Sequence, residues 1–355
     1  MKILYLPGNI ASINTNTAKA INKIPGVSAK CLTVSAHKYH GSDDSEVVLP
    51  HKGTKKNFFR WAYRYIKNLW AIKKLIDEAN VLHYLFETAV FGGLDLKWAR
   101  YKKKAIFIEW LGSDIRDPSI LIPINKYYQH AFENGYEYKA VESSNNKRKT
   151  QRLFHKAGAV PVACPEITLF IDRNLFPKVN LVFQRLNVRE FIPQYGSENN
   201  RPLLLHSPSA QNAKGTSIIL ATIERLKKRH DFDFMLLHGV SREEVLTLIR
   251  KADIFIDQII LGSHGMAALE AMAFGKPVLC YLIPEVFAAG LPQECPIVNT
   301  NPENIEEQLE KLLSDSTLRY DIGVKSRAYV EKYHDADKIG VQLIQLYEKE
   351  LMKLN

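Results

Sequence analysis

Two α/β domains of the Rossmann type, in tandem, are predicted by three features of the sequence. Short apolar runs of strand length alternate with longer amphipathic stretches along nearly the whole chain, the pattern of βαβ units and parallel sheets. The 355 residues suit two domains that each bury a core. The charge also divides, with 30 Lys+Arg against 16 Asp+Glu in residues 1–190 and 18 against 22 in residues 191–355. A basic half joined to a mildly acidic half predicts domains with different partners.

In chain order, strands are predicted at Ile3–Leu6, Val81–Phe86, Ala105–Trp110, Leu203–His206, Asp233–His238, Ile254–Ile256 and Val278–Leu282. Helical periodicity marks Lys55–Ala79, Thr216–Arg229, Arg242–Arg250, Gly265–Phe274 and Ile305–Leu313. A last helix, Ala336 to Leu354, carries Ile339, Leu343, Leu346 and Leu351 at roughly helical spacing. The polar, breaker-rich stretch between Pro193 and Pro202 coincides with the change of charge sign and predicts the boundary. The division expected is therefore 1–192, 193–335, and a terminal helix, 336–355, packing back on the first domain.

Composition narrows the function. An apolar share of 46% with 24% charge excludes wholesale disorder. The four cysteines, Cys31, Cys164, Cys280 and Cys295, form no CxxC pair, which excludes a zinc ribbon or thioredoxin motif and predicts a reducing compartment. No apolar run approaches the roughly 18 residues that cross a bilayer. A soluble, cytoplasmic protein is expected.

Chemistry concentrates in two segments. The first, Leu203 to Thr216, is a strand, a polar loop and then Lys214-Gly215 opening a helix. Free N–H groups at a helix tip together with a lysine suit a phosphate, although the pair alone also fits an ordinary helix entry. The second, Ala252 to Val278, is a buried strand, a turn with Gly262 and Gly265, and a helix of small residues. Glu270 falls in the second turn of that helix, where a carboxylate can accept hydrogen bonds from the vicinal hydroxyls of a ribose.

Glu270-Ala-Met-Ala-Phe-Gly-Lys-Pro-Val278 resembles the donor-binding signature of GT-B glycosyltransferases, especially the large retaining family numbered 4. Lys214-Gly215 falls where that family places its diphosphate lysine. Pro7-Gly8-Asn9-Ile10-Ala11 is similar to its first glycine loop, and Gly112-Ser113-Asp114-Ile115-Arg116 to a segment of a polysaccharide-related branch. The resemblance implies the GT-B fold, two Rossmann-like domains facing each other across a cleft. It implies transfer from a nucleotide-sugar, as substrate, to a lipid-linked or polysaccharide acceptor, with retained anomeric configuration and no metal or other cofactor. Lys214, Glu270 and His264 become the catalytic candidates. Gly8, His206, Ser207, Ser209, Gly215, Gly265, Met266 and Ala267 join Lys214 and Glu270 around the donor, and Asn9, Asp114 and Arg116 lie on the acceptor side.

Three positions depart from the family pattern. A glutamate eight residues before Glu270 is Gly262, an arginine before Lys214 is Ser209 or Pro208, and a histidine before Gly112 is Leu111. These departures keep a second reading open, a glycosyltransferase-like subunit that binds nucleotide or glycan without transfer. A nucleotide-sugar epimerase on the same fold is a third. Asp231-Phe232-Asp233 spells a DxD, but it begins a buried strand on the wrong side of the domain.

Residues 51–74 hold eight basic residues and no acid: Lys52, Lys55, Lys56, Arg60, Arg64, Lys67, Lys73 and Lys74. A stripe of Phe58, Ala62, Tyr65, Leu69, Ile72 and Ile76 suits a core. That leaves a second stripe, Phe59, Tyr63, Ile66 and Trp70, among the cations. Residues 55–74 thus predict contact with an anionic membrane surface, extended by Lys102-Lys103-Lys104, and peripheral attachment at the inner face of a membrane. An ordinary solvated helix face fits the same pattern. No nucleic-acid module accompanies the charge, so nucleic acid is not an expected partner.

Overall fold

The computed structural model describes residues 1–10, 12–33, 46–49, 58–196 and 201–354. Its chain builds two parallel sheets, each in its own unit. The first unit comprises Met1–Ile115, Ser144–Asn187 and Ala336–Asn355, and the second Arg116–Ser143 and Val188–Asp335.

The first sheet contains β1 (Lys2–Leu6), β2 (Ser28–Thr33), β3 (Glu46–Val48), β4 (Val81–Leu85), β5 (Ala105–Glu109), β6 (Val160–Ala163) and β7 (Asn180–Leu181), in the order β3-β2-β1-β4-β5-β6-β7. Strands β4 and β5 are buried at every position, because helices cover both faces of a parallel sheet. The Ala336–Leu354 helix sits in this unit, its Ile339, Leu343, Ile344 and Tyr347 packed in one core with Ile3, Tyr5, Val81 and Phe107.

The second sheet contains β8 (Leu203–His206), β9 (Asp233–Leu236), β10 (Ile254–Ile256), β11 (Val278–Cys280) and β12 (Val298–Asn299), in the order β12-β11-β10-β8-β9. The direction of winding reverses between β8 and β10. In open α/β sheets the crevice beyond the carboxyl ends of the strands at such a reversal is where ligands bind. The loops after β8 and β10 hold the two segments singled out in the sequence.

The structure divides the chain differently from the sequence boundary. The first unit's central segment ends at Asn187 rather than at residue 192, and residues 116–143 cluster with the second unit. Polar contacts tie residues 116–143 to that unit. The Asn125 amide donates to the Ile260 carbonyl at 2.8 Å, and the Glu137 carboxylate accepts the Asn212 and Ala213 N–H groups at 2.7 and 2.9 Å. Ser197–Asn200 of the predicted linker lie outside the described residues.

Candidate functional site

The strand β8 ends on His206, whose ring is fully buried and hydrogen-bonded at both nitrogens, to the Ile256 carbonyl at 2.8 Å and the Thr216 hydroxyl at 2.9 Å. A carbonyl only accepts, so Nδ1 carries the proton and Nε2 accepts from Thr216. Burial pushes its pKa down to about 4, so the ring is neutral. His206 therefore braces β8 against β10 and the helix entry, from beneath the loop. Ser207 is half-buried and Ser209 exposed, 3.5 Å from the Tyr138 hydroxyl.

Lys214 closes the short Gln211–Lys214 helix. Its carbonyl accepts the Ile259 N–H at 3.3 Å, which holds its backbone against the loop after β10. Gly215 follows with φ +77°, and a Cβ there would stand 2.6 Å from Ile259 and 2.9 Å from Ile260, so no other residue lets the two loops approach so closely. The Lys214 ammonium forms an ion pair with Asp257, the residue just past β10. Burial works against the ammonium, yet the Asp257 carboxylate outweighs it and the lysine stays charged above its ordinary range. Asp257 is the converse: burial pushes its carboxyl up, and Lys214 holds it below the usual carboxylate range.

Gln258 folds the turn that follows. Its side-chain oxygen accepts the Ile260 and Leu261 N–H groups at 2.8 and 2.6 Å, and its amide donates to the Ser263 and Tyr281 carbonyls at 2.6 and 3.1 Å. Gly262 sits in this turn at φ +84°, where a Cβ would strike Ile283 at 2.7 Å. The glutamate that the resembled family carries at this position thus has no room here. His264 is 5% exposed, and neither ring nitrogen has a hydrogen-bond partner among the described residues.

The Met266–Ala273 helix starts at Gly265 without a side-chain cap. Gly265 N–H is already taken, donating to Asp257 at 3.0 Å. The first N–H groups of a helix have no partner within it, so the half-buried Met266 and Ala267 amides are the ones offered to an anion. Glu270, 5% exposed, pairs with Arg242 at the start of the Arg242–Lys251 helix. Burial raises its pKa above the ordinary value, against the pull of the Arg242 guanidinium. The rest of the signature is architectural: Lys276 is buried and donates to the Gln194 carbonyl.

His206, Ser207, Ser209, Lys214, Gly215, His264, Gly265, Met266, Ala267 and Glu270 all belong to the second unit, at the end of β8, on the segments that follow β8 and β10 and on the Met266–Ala273 helix. Gly8, Asn9 and Asp114 belong to the first. Asn9 is buried, its amide donating to Thr15 at 3.1 Å, and Asp114 accepts the Gly112 N–H at 2.6 Å. Arg116, expected beside Asp114 on the acceptor side, falls in the second unit with its guanidinium 2.6 Å from the buried Glu142. That carboxylate also accepts the Tyr128 and Tyr136 hydroxyls, so Arg116 belongs to a buried network. Ala11 lies outside the described residues. The DxD acids, Asp231 and Asp233, flank Arg201 on the surface.

Sequence reasoning left Asp257, Gln258 and Arg242 out of the site. The signal was an Asp-Gln pair directly behind the apolar run of β10, an expensive place for polar residues unless they organise a turn or a ligand.

The Phe58–Glu78 helix buries Ile72 and Ile76 and half-buries Tyr65 and Leu69, while Tyr63, Ile66 and Trp70 are 68%, 61% and 73% exposed. Lys67, Lys73 and Lys74 are exposed beside them. Lys104 is engaged, donating to the Asp77 and Ala79 carbonyls, which leaves Lys102 and Lys103 at the surface. Lys52, Lys55 and Lys56 lie outside the described residues, as do the side chains of Phe58, Phe59, Arg60, Ala62 and Arg64. Among the described residues no helix is long and apolar enough to cross a membrane.

Two parallel Rossmann-like units, each with its own winding reversal, make this a GT-B fold. A family model described as "Glycosyl transferases group 1" matches residues 233–329, all within the second unit. Among solved structures the chain resembles WaaG, a glycosyltransferase involved in lipopolysaccharide biosynthesis, at 14% identity over 98% of this chain and 99% of that one, with a TM-score of 0.54. It also resembles HepE of Anabaena in complex with UDP, at 12% identity over 98% and 100%, with a TM-score of 0.60. A glycosyltransferase of Rickettsia africae aligns at 14% identity over 99% and 98%, also at 0.60. No curated protein sequence matches the chain significantly. At these identities the likeness is one of fold.

Proposed function

We propose that this chain is a retaining glycosyltransferase of the family numbered 4, moving a hexose from a nucleotide-sugar to a lipid-linked or polysaccharide acceptor. The observation that carries the reading is one charged ammonium, Lys214, beside the uncapped tip of the Met266–Ala273 helix at the winding reversal. Departure of a nucleoside diphosphate puts negative charge on phosphate oxygens. A fixed ammonium and the Met266 and Ala267 amides stabilise that charge without a metal. Glu270, held by Arg242, would accept hydrogen bonds from the ribose hydroxyls. His264, buried with both nitrogens unengaged among the described residues, would face the reacting sugar. The UDP bound by the Anabaena neighbour supports a nucleoside diphosphate as ligand. The exposed Tyr63–Ile66–Trp70 face and its lysines support an anionic membrane surface, on the inner side, as the place where a lipid-linked acceptor is met.

The test is release of nucleoside diphosphate from a panel of nucleotide-sugars by the full-length chain. Release should persist in excess chelator, and Lys214→Ala should lower kcat/KM by about a hundredfold or more. The closed position at Gly262 favours a second reading, a subunit that binds nucleotide without transfer. Binding of nucleoside diphosphate with no turnover on any donor would select it, and isomerised donor without transfer would select an epimerase. Indifference to every nucleoside diphosphate sinks all three.

A further inference from the structure

We propose that Asp257 is a positioning residue of the diphosphate site, a single carboxylate that ties the Lys214 ammonium to the tip of the Met266–Ala273 helix. The inference rests on the diphosphate reading of that site and adds the group that sets its geometry. Asp257 stands immediately past β10, at the winding reversal, and is 1% exposed. Its Oδ1 accepts from the Lys214 ammonium, and its Oδ2 accepts the Gly265 N–H at 3.0 Å. With both oxygens engaged, the carboxylate plane is fixed, and the two elements that would grip a diphosphate are held at one separation.

The lysine lies over the carboxylate: its side chain is 14% exposed and that of Asp257 is wholly buried. An ammonium has three N–H donors, so Asp257 takes one and leaves two for a ligand. A bare ammonium at this depth tends to lose its proton, whereas one beside a carboxylate keeps it. Asp257 thus supplies direction and charge state to Lys214 without reaching the ligand. Two braces keep it in place, the Asp257 N–H donating to the Leu279 carbonyl at 3.0 Å and His206 bonding the Ile256 carbonyl next to it. A carboxylate so close to a phosphate site would by itself repel the ligand, so its burial beneath the lysine is the arrangement a positioning role requires.

The probe is inorganic pyrophosphate, which needs no choice of base, measured by calorimetry on the full-length chain. Four proteins form a cycle: wild type, Asp257→Asn, Lys214→Ala and the double variant. Asparagine keeps an acceptor for the Gly265 N–H and loses the charge, so it isolates the lysine link. Asp257→Asn should weaken binding about ten- to a hundredfold. The same change in the Lys214→Ala background should cost less than about twofold, because nothing is left for Asp257 to position. A structural role predicts equal losses in both backgrounds, and that result overturns the proposal, as does unchanged or tighter binding by Asp257→Asn. Should Asp257→Asn fail to fold, Asp257→Glu carries the same cycle: the charge is kept, the ammonium and the Gly265 N–H are displaced, and the loss should again be smaller without Lys214 by about fivefold or more, an equal loss in both backgrounds overturning the proposal. A wild type that ignores pyrophosphate and every nucleoside diphosphate defeats the diphosphate reading itself, and this proposal with it.

Discussion

His206 and Gly262 show how much of the loop geometry is decided by single buried residues. A neutral, doubly bonded histidine is a stability element with a pH signature. Its folded pKa, about 4, lies below the ordinary 6.5, so the unfolded chain takes up the proton first. The stabilisation is intact above pH 6.5 and is lost as pH falls toward 4, by about 3 kcal/mol in all. Asparagine can still donate to the Ile256 carbonyl and does not titrate. In urea titrations at pH 7 and pH 4.5, His206→Asn should therefore lose less stability on acidification than the wild type, by about 2 kcal/mol of that total; parallel losses would show that His206 is not the titrating group. Gly262 makes a different point, about the glutamate that the resembled family carries at this position. Introducing it as Gly262→Glu places a side chain at φ +84° and a Cβ 2.7 Å from Ile283 and 3.1 Å from Asn125. The expected outcome is a loss of about 2–4 kcal/mol by denaturant titration, with no gain in turnover.

At the scale of elements, the Phe58–Glu78 helix separates two demands that a sequence pattern superimposes. Its core stripe, Ile72 and Ile76, is satisfied by burial, so the exposed Trp70, Ile66 and Tyr63 are not needed for packing. Tryptophan at 73% exposure is uncommon in a folded surface without a partner. Each lysine near an anionic surface contributes on the order of 1 kcal/mol, so a double Lys67→Ser, Lys74→Ser variant should bind anionic vesicles about tenfold or more weakly in flotation assays. Trp70→Ser should also lower binding while its melting temperature stays near that of the wild type, since exposed substitutions usually stay within about 0.5 kcal/mol. Equal flotation with neutral vesicles would remove the electrostatic reading. The helix was legible because 3.6-residue periodicity runs through it. The Lys126–Glu133 helix and its neighbours were not, because their place in the second unit depends on Asn125 and Glu137, whose targets lie 75 or more residues away.

In the whole molecule, the sequence disclosed the βαβ alternation, the Rossmann-like pairing and the two loops at the winding reversal that hold the candidate site. Strands β1, β8 and β10 carry uninterrupted apolar runs and were read nearly to the residue. Strand β2 was missed because Ser28 and Lys30 interrupt its pattern, β6 because of Pro161, and β7 and β12 because two residues leave no period to detect. The return of the chain through Tyr347 is the long-range feature that composition cannot show in detail. Its hydroxyl lies 2.9 Å from that of Tyr5 on β1 and 2.6 Å from Nδ1 of His83 on β4. Nε2 of His83 stands 3.2 Å from Glu109, whose carboxylate accepts two hydrogen bonds from the buried Arg185 at 2.6 and 2.9 Å. A terminal helix is thus locked to the sheet by a polar chain inside an apolar core. Tyr347→Phe keeps the ring packing and strands the partners of the hydroxyl, at a cost of about 1–3 kcal/mol. Because Tyr347 belongs to the first unit and the proposed diphosphate loops to the second, the loss should appear in thermal unfolding while pyrophosphate affinity stays at the wild-type value. A parallel fall in pyrophosphate affinity would mean that the Ala336–Leu354 helix governs the proposed donor site as well as the stability of the unit it packs in.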